Sequence, residues 1–140
     1  MSSLHQQRGL TLPRLQHVSL PIPTDGQEQV RAFYGRVLGF VEKPVPQSLT
    51  DRGLVWFAVG DGEMELHFIP DPNHPANPEE SRHICFEVPD LETYRQALAA
   101  AGYEINEAGP IFNRPRFFTL DPFGNKLELT TILGSYLATE

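Results

Sequence analysis

RHICFEVPDLETYRQALAAAG, residues 82–102, runs an alternating segment straight into a helical one, and the same order stands earlier in the chain as RLQHVSLPI, residues 14–22, followed by TDGQEQVRAFYGRVLGF, residues 24–40. In RLQHVSLPI the residues Val18, Leu20 and Ile22 fall on one side of a strand, with His17 and Ser19 on the other. In RHICFEVPD the residues Ile84, Phe86 and Val88 oppose His83 in the same way. The helix after the first strand carries Val30, Phe33, Tyr34, Val37 and Leu38 at helical intervals, with Asp25 and Glu28 at capping-box spacing before them and Gly39 as its stop. The second helix, LETYRQALAAAG, ends at Gly102.

Outward from these two starts the parallel continues. GLVWFAV and EMELHFI read as strands joined by a Gly-Asp-Gly turn around Asp61 and Gly62, with a weaker extended segment near Val41 to Pro46. YEINEAG is extended, and RFFTLDPFGNKLELTTI makes a closing hairpin. Placing His17 over His83 superimposes LGF at 38–40 on AGY at 101–103, a period of about sixty residues. The expected fold is α+β, two βαβββ repeats forming a cupped, barrel-like mixed sheet with helices outside. Its repeats span 14–70 and 82–133, joined by the Pro-rich connection at 70–81, within one domain covering 14–133; a flexible N-terminus is expected at 1–13 and a tail at 134–140.

Composition narrows the function. A chain of 140 residues, 40% hydrophobic and 21% charged, fits an ordinary globular domain. A net charge of −7, with eleven Lys and Arg that form no basic cluster, argues against nucleic acid and acidic membranes as partners. No apolar run approaches the roughly 20 residues of a membrane span, and MSSLHQQRGLTLP lacks the apolar centre of a secretory signal, so the expected location is cytoplasmic. The lone Cys85 forms no internal disulfide; it shares a face with His83 and reads as a small buried spacer rather than a nucleophile.

Strand parity singles out the chemistry. His17, His83, Glu128 and the pair Glu65 and His67 each oppose the apolar side of their own strand; Leu127 and Leu129 flank Glu128, and Met64, Leu66 and Phe68 flank the pair. Any one of them alone reads as a polar position on the wet side of a sheet. Symmetrically placed together, imidazoles and a carboxylate point to a divalent-metal site. His5 and His74 lie in the N-terminus and the Pro-rich connection and read as solvated. Arg82, Arg114 and Arg116 are the donors available to a substrate oxyanion, each otherwise a surface arginine. Trp56, Phe57, Phe117, Phe118 and Phe123 divide between core and pocket wall. Arg116, Trp56 and Phe118 are the substrate-binding candidates.

Taken together, LQHVSLPIP, FYGRVLGF, VWFAVGDGEMELHF, RHICFEV and FFTLDPFGNKLEL, within residues 14–133, resemble the vicinal-oxygen-chelate superfamily of glyoxalases, bleomycin-resistance proteins and extradiol dioxygenases. Its most specific part is DPFGNKLEL, similar to the family's last hairpin, which implies Glu128 as the strongest metal ligand. By the same resemblance His17 and His83 carry over as ligands. The fourth ligand is His67, with Glu65 as the alternative, and Glu65 and Glu128 are the candidates for proton transfer. The resemblance implies a divalent ion (Fe, Mn, Ni or Zn), a homodimer, and a glyoxalase- or dioxygenase-like enzyme whose small substrate chelates the metal through vicinal oxygens. The alternative it offers is a metal-free drug-binding protein of the bleomycin-resistance type.

Overall fold

In the computed structural model, residues 12–60, 63–73 and 81–137 are described. Asp61 and Gly62, His5, His74 and most of the Pro-rich connection therefore lie outside the described residues. Two βαβββ modules follow one another, as the repeat requires. The first comprises β1 (His17–Ile22), α1 (Gln27–Val30, continuing as a π-helix over Arg31–Val37), β2 (Val41–Lys43), β3 (Val55–Ala58) and β4 (Glu65–Pro70). The second comprises β5 (Ile84–Glu87), α2 (Leu91–Ala100), β6 (Asn106–Glu107), β7 (Arg116–Leu120) and β8 (Lys126–Thr130). Each forms a mixed four-stranded sheet, in the orders β1-β4-β3-β2 and β5-β8-β7-β6, with the first strand parallel to the last. Strand pairing closes no barrel, and the two sheets remain separate.

The helices depart from the simplest reading in two ways. Gly26 stands at the N-cap of α1 with no side-chain cap, so Asp25 and Glu28 do not form the expected capping box. The amide of Leu38 bonds the carbonyl of Phe33 at 3.0 Å, a five-residue spacing that propensity arguments do not anticipate. Along this widened helix Val30 and the adjacent Phe33 and Tyr34 are all fully buried. Gly39 and Gly102 close the two helices at φ +82° and +88°, a conformation that costs glycine little. Asp90 caps α2 by accepting from the Glu92 amide at 3.2 Å.

The modules share one core and meet through their apolar sides. Tyr34 of α1 donates its hydroxyl proton to Asp121 Oδ2 in the β7–β8 turn at 2.7 Å, Phe33 packs edge-on against Tyr103 at 4.7 Å, and Phe40 lies 4.9 Å from Phe86. A cavity of about 540 Å³ remains between them, with Val18 and Leu66 of the first sheet and Ile84, Phe86 and Leu129 of the second in its lining. Burial and the neighbouring Asp121 carboxylate push the Tyr34 hydroxyl well above its ordinary pKa, so it stays a donor. No helix among the described residues is long and apolar enough to cross a membrane.

Candidate functional site

On the first sheet, parallel pairing sets His17 opposite Glu65 and Ser19 opposite His67, while antiparallel pairing sets Trp56 opposite both His67 and Lys43. A row of functional side chains therefore crosses the sheet on its polar face. The His67 ring stacks between His17 (centroids 4.1 Å apart) and Trp56 (3.8 Å apart, planes within 2°). His67 Nε2 lies 2.8 Å from Glu65 Oε1, and Lys43 donates to Glu65 Oε2. Burial favours the protonated form of Glu65, but the hydrogen bonds from Lys43 and His67 outweigh it and hold the carboxyl below its usual value. Burial lowers the His67 pKa against the opposing pull of Glu65. A neutral His67 thus spends its Nε2 proton on Glu65 and orients it.

The tautomer of His17 follows from its neighbour. The side-chain amide of Gln16 donates to the Glu63 carbonyl, which leaves Gln16 Oε1 to accept from His17 Nδ1 at 2.7 Å. The Nε2 lone pair of His17 is left available for a ligand.

The second sheet carries a matching group. Pairing sets Glu128 between Cys85 and Phe118, and His83 stands just before β5. His83 Nδ1 donates to the Ser81 carbonyl at 2.8 Å, so the neutral ring presents a lone pair at Nε2, yet Nε2 lies 2.9 Å from Glu128 Oε1. Two acceptors at that distance require a positive centre shared between them, either a proton or a metal ion. Glu128 Oε2 accepts from Arg116 NH1 at 3.0 Å, and the rest of that guanidinium grips the Gly109 carbonyl through Nε and NH2. Phe118 stands edge-on to His83 at 5.0 Å, with Arg116 and Lys126 within 6 Å of its ring.

The structure thus assembles the expected residues as two groups, His17 with Glu65 and His67, and His83 with Glu128. The hydrogen bonds of each group are made within its own module, and among the described residues no three His, Cys, Asp or Glu side chains come together as a metal-holding cluster. The sequence leaves open whether the four candidates meet within one chain or across two; among the described residues they form no such cluster within one chain. Sheet neighbours dictate this: β1 and β5 are edge strands of different sheets.

Other candidates are placed as follows. Arg116 is engaged by Glu128 and Gly109 rather than left open for a substrate, and Arg114 bonds the Gly134 carbonyl and lies over Tyr136. Phe57 and Phe117 are core, whereas Trp56, Phe118 and Phe123 are half-buried. Lys43 and Gln16 were not anticipated: Lys43 reaches Glu65 across the sheet, and Gln16 orients the adjacent His17 only because the distant Glu63 carbonyl fixes its amide.

Cys85 is exposed rather than a buried spacer, because its side of β5 is the open polar face. Partial burial of its thiol and the Glu128 carboxylate nonetheless push its pKa up to about 11. Carbamidomethylation of the folded protein at pH 7.5 is therefore expected to run roughly 10-fold slower than for an unfolded control, the smaller thiolate fraction being partly offset by a more nucleophilic thiolate. Comparable rates in the two states would show a thiol free of Glu128.

The family described as the Glyoxalase/Bleomycin resistance protein/Dioxygenase superfamily matches residues 14–129. Among solved structures, a glyoxalase family protein from Bacillus anthracis is 32% identical, with a TM-score of 0.77 over 88% of this chain and 98% of that one. The fosfomycin resistance protein FosX from Listeria monocytogenes, in complex with Mn(II), is 14% identical with a TM-score of 0.70, covering 86% and 93% of the two chains. The antibiotic-binding protein TnmS3 from Streptomyces is 19% identical with a TM-score of 0.66, covering 88% and 98%. At these lower identities the likeness is one of fold. Comparison with curated proteins finds no match.

Proposed function

This chain belongs to the Glyoxalase/Bleomycin resistance protein/Dioxygenase superfamily, and we propose that it acts there as a divalent-metal-dependent enzyme whose small substrate offers two adjacent oxygens. The observation that carries this reading is the contact between His83 and Glu128, a lone pair and a carboxylate oxygen 2.9 Å apart with the ring's other nitrogen tied to a carbonyl. His17 offers a second lone pair held by the same device, through Gln16. Glu65 is the direct cross-strand neighbour of His17 and is kept ionised, as a ligand must be; His67 donates to it and so belongs behind it as an orienting group. The ligand set is then His17 and Glu65 from the first module with His83 and Glu128 from the second.

Because these pairs lie on separate sheets, the reading joins the first module of one copy to the second module of another, giving a homodimer with two sites. A divalent ion bound there supplies Lewis acidity, stabilising negative charge on substrate oxygens. The protein's own contributions are fixed tautomers at His17 and His83, a carboxylate at Glu65 held in place by Lys43 and His67, and aromatic walls at Trp56 and Phe118.

A second reading, metal-free binding of a small molecule, draws support from the cations on both carboxylates, Lys43 on Glu65 and Arg116 on Glu128. Titration of Fe²⁺, Mn²⁺, Ni²⁺ and Zn²⁺ into chelator-treated protein separates the two. The enzyme reading expects close to one ion per chain and a mass in solution of two chains. Failure of every ion to bind would overturn it in favour of the second reading.

A further inference from the structure

Lys43 has no role in either half of the ligand set, yet it reaches the polar face beside Trp56 and Glu65. It is the last residue of β2, its cross-strand neighbour is Trp56, and its ammonium touches Glu65 with about a third of the side chain exposed. An ammonium has three protons, and one serves Glu65. When Glu65 shares its charge with a metal ion its hold on Lys43 weakens, while His67 still orients it. The ammonium then needs another anion.

The charge on both faces points the same way. On the first face Lys43 stands against two carboxylates, Glu65 and the nearby Glu63, and on the second Arg116 and Lys126 balance Glu128 and Glu87. A divalent ion added to these groups leaves an excess of one positive charge in a partly desolvated site, which favours an anion and opposes a cationic drug. Resting on the metal reading above, we propose that Lys43 receives an anionic group of the substrate, so that the substrate class is a small organic anion, a carboxylate in the simplest case, carrying two adjacent chelating oxygens. Lys43 is thus a specificity residue.

The test uses probes that share the chelating pair and differ in the anion: catechol, 2,3-dihydroxybenzoate and 3,4-dihydroxybenzoate, titrated calorimetrically under nitrogen into zinc-loaded protein. The wild type is expected to prefer one dihydroxybenzoate over catechol by about tenfold or more, the factor one charge-assisted hydrogen bond supplies. In Lys43→Met that ratio is expected to fall to near one, and in Lys43→Arg to survive. Because the readout is a ratio within each variant, a change in zinc affinity does not mimic it. An unchanged ratio in Lys43→Met, or no preference in the wild type, overturns the inference alone. Failure of the wild type to bind zinc, or of zinc-loaded protein to bind catechol, overturns the underlying metal or vicinal-oxygen reading and the inference with it.

Discussion

Glu128→Gln is expected to weaken divalent-metal binding by more than about 100-fold, because on the proposed reading it removes a charged ligand outright, where loss of an orienting partner typically costs 10- to 100-fold. The fold should survive. The amide oxygen of glutamine can still accept from Arg116, whose guanidinium keeps its two bonds to the Gly109 carbonyl, so the cost to stability is about 1–2 kcal/mol. Competition against a chromophoric chelator measures the first effect and urea denaturation the second. Unchanged metal affinity would remove Glu128 from the site. In the same assay Glu65→Gln should approach the Glu128 effect, while His67→Asn should stay within the range of an orienting group. The reverse ranking would restore His67 as the ligand.

The largest effect on stability is expected at Asp121. Its carboxylate is 4% exposed and accepts from the Tyr34 hydroxyl, the amides of Phe123 and Asn125, and the side-chain amide of Asn125. Asp121→Ala strands these donors in or near the core, at a cost of about 3–5 kcal/mol. Tyr34→Phe removes one donor and leaves Asn125 on the same oxygen, so about 1 kcal/mol is expected. Urea midpoints for both variants and their combination provide the check. The combined loss should be smaller than the sum, since the two share a bond. Strict additivity would mean that the Tyr34–Asp121 bond contributes nothing.

Much of this architecture is legible in the sequence. Alternation placed β1, β5 and β8 and the face on which His17, His83 and Glu128 stand, because strand parity is a local property. Gly39 and Gly102 announced the helix ends for the same reason. Parity could not separate Glu65 from His67, which lie two residues apart on one face; only the parallel register between β1 and β4, which brings residues 48 positions apart together, makes Glu65 the neighbour of His17. Nor could a pattern along one chain reveal that the polar faces of the two modules do not converge. That depends on which sheets pack together, and the packing runs through Phe40, Phe86, Phe33 and Tyr103 on the apolar side. The π-helical turns at Arg31–Val37 were likewise invisible, since their hydrogen-bond spacing leaves the apolar pattern of a helix almost unchanged.

The bond from Tyr34 to Asp121 spans 87 positions, and it bears on how the protein is made. A ribosome delivers the first module well before the β7–β8 turn exists. Until that turn emerges, the phenol of Tyr34 has no acceptor at Asp121; before the second module is made, Phe33 of α1 also lacks Tyr103, and Phe40 beyond the helix lacks Phe86. The repeated architecture therefore does not confer repeated autonomy: the N-terminal half waits, partly uncovered, for the last strands of the C-terminal half, and a chain stalled before residue 121 is the form most exposed to proteases and chaperones.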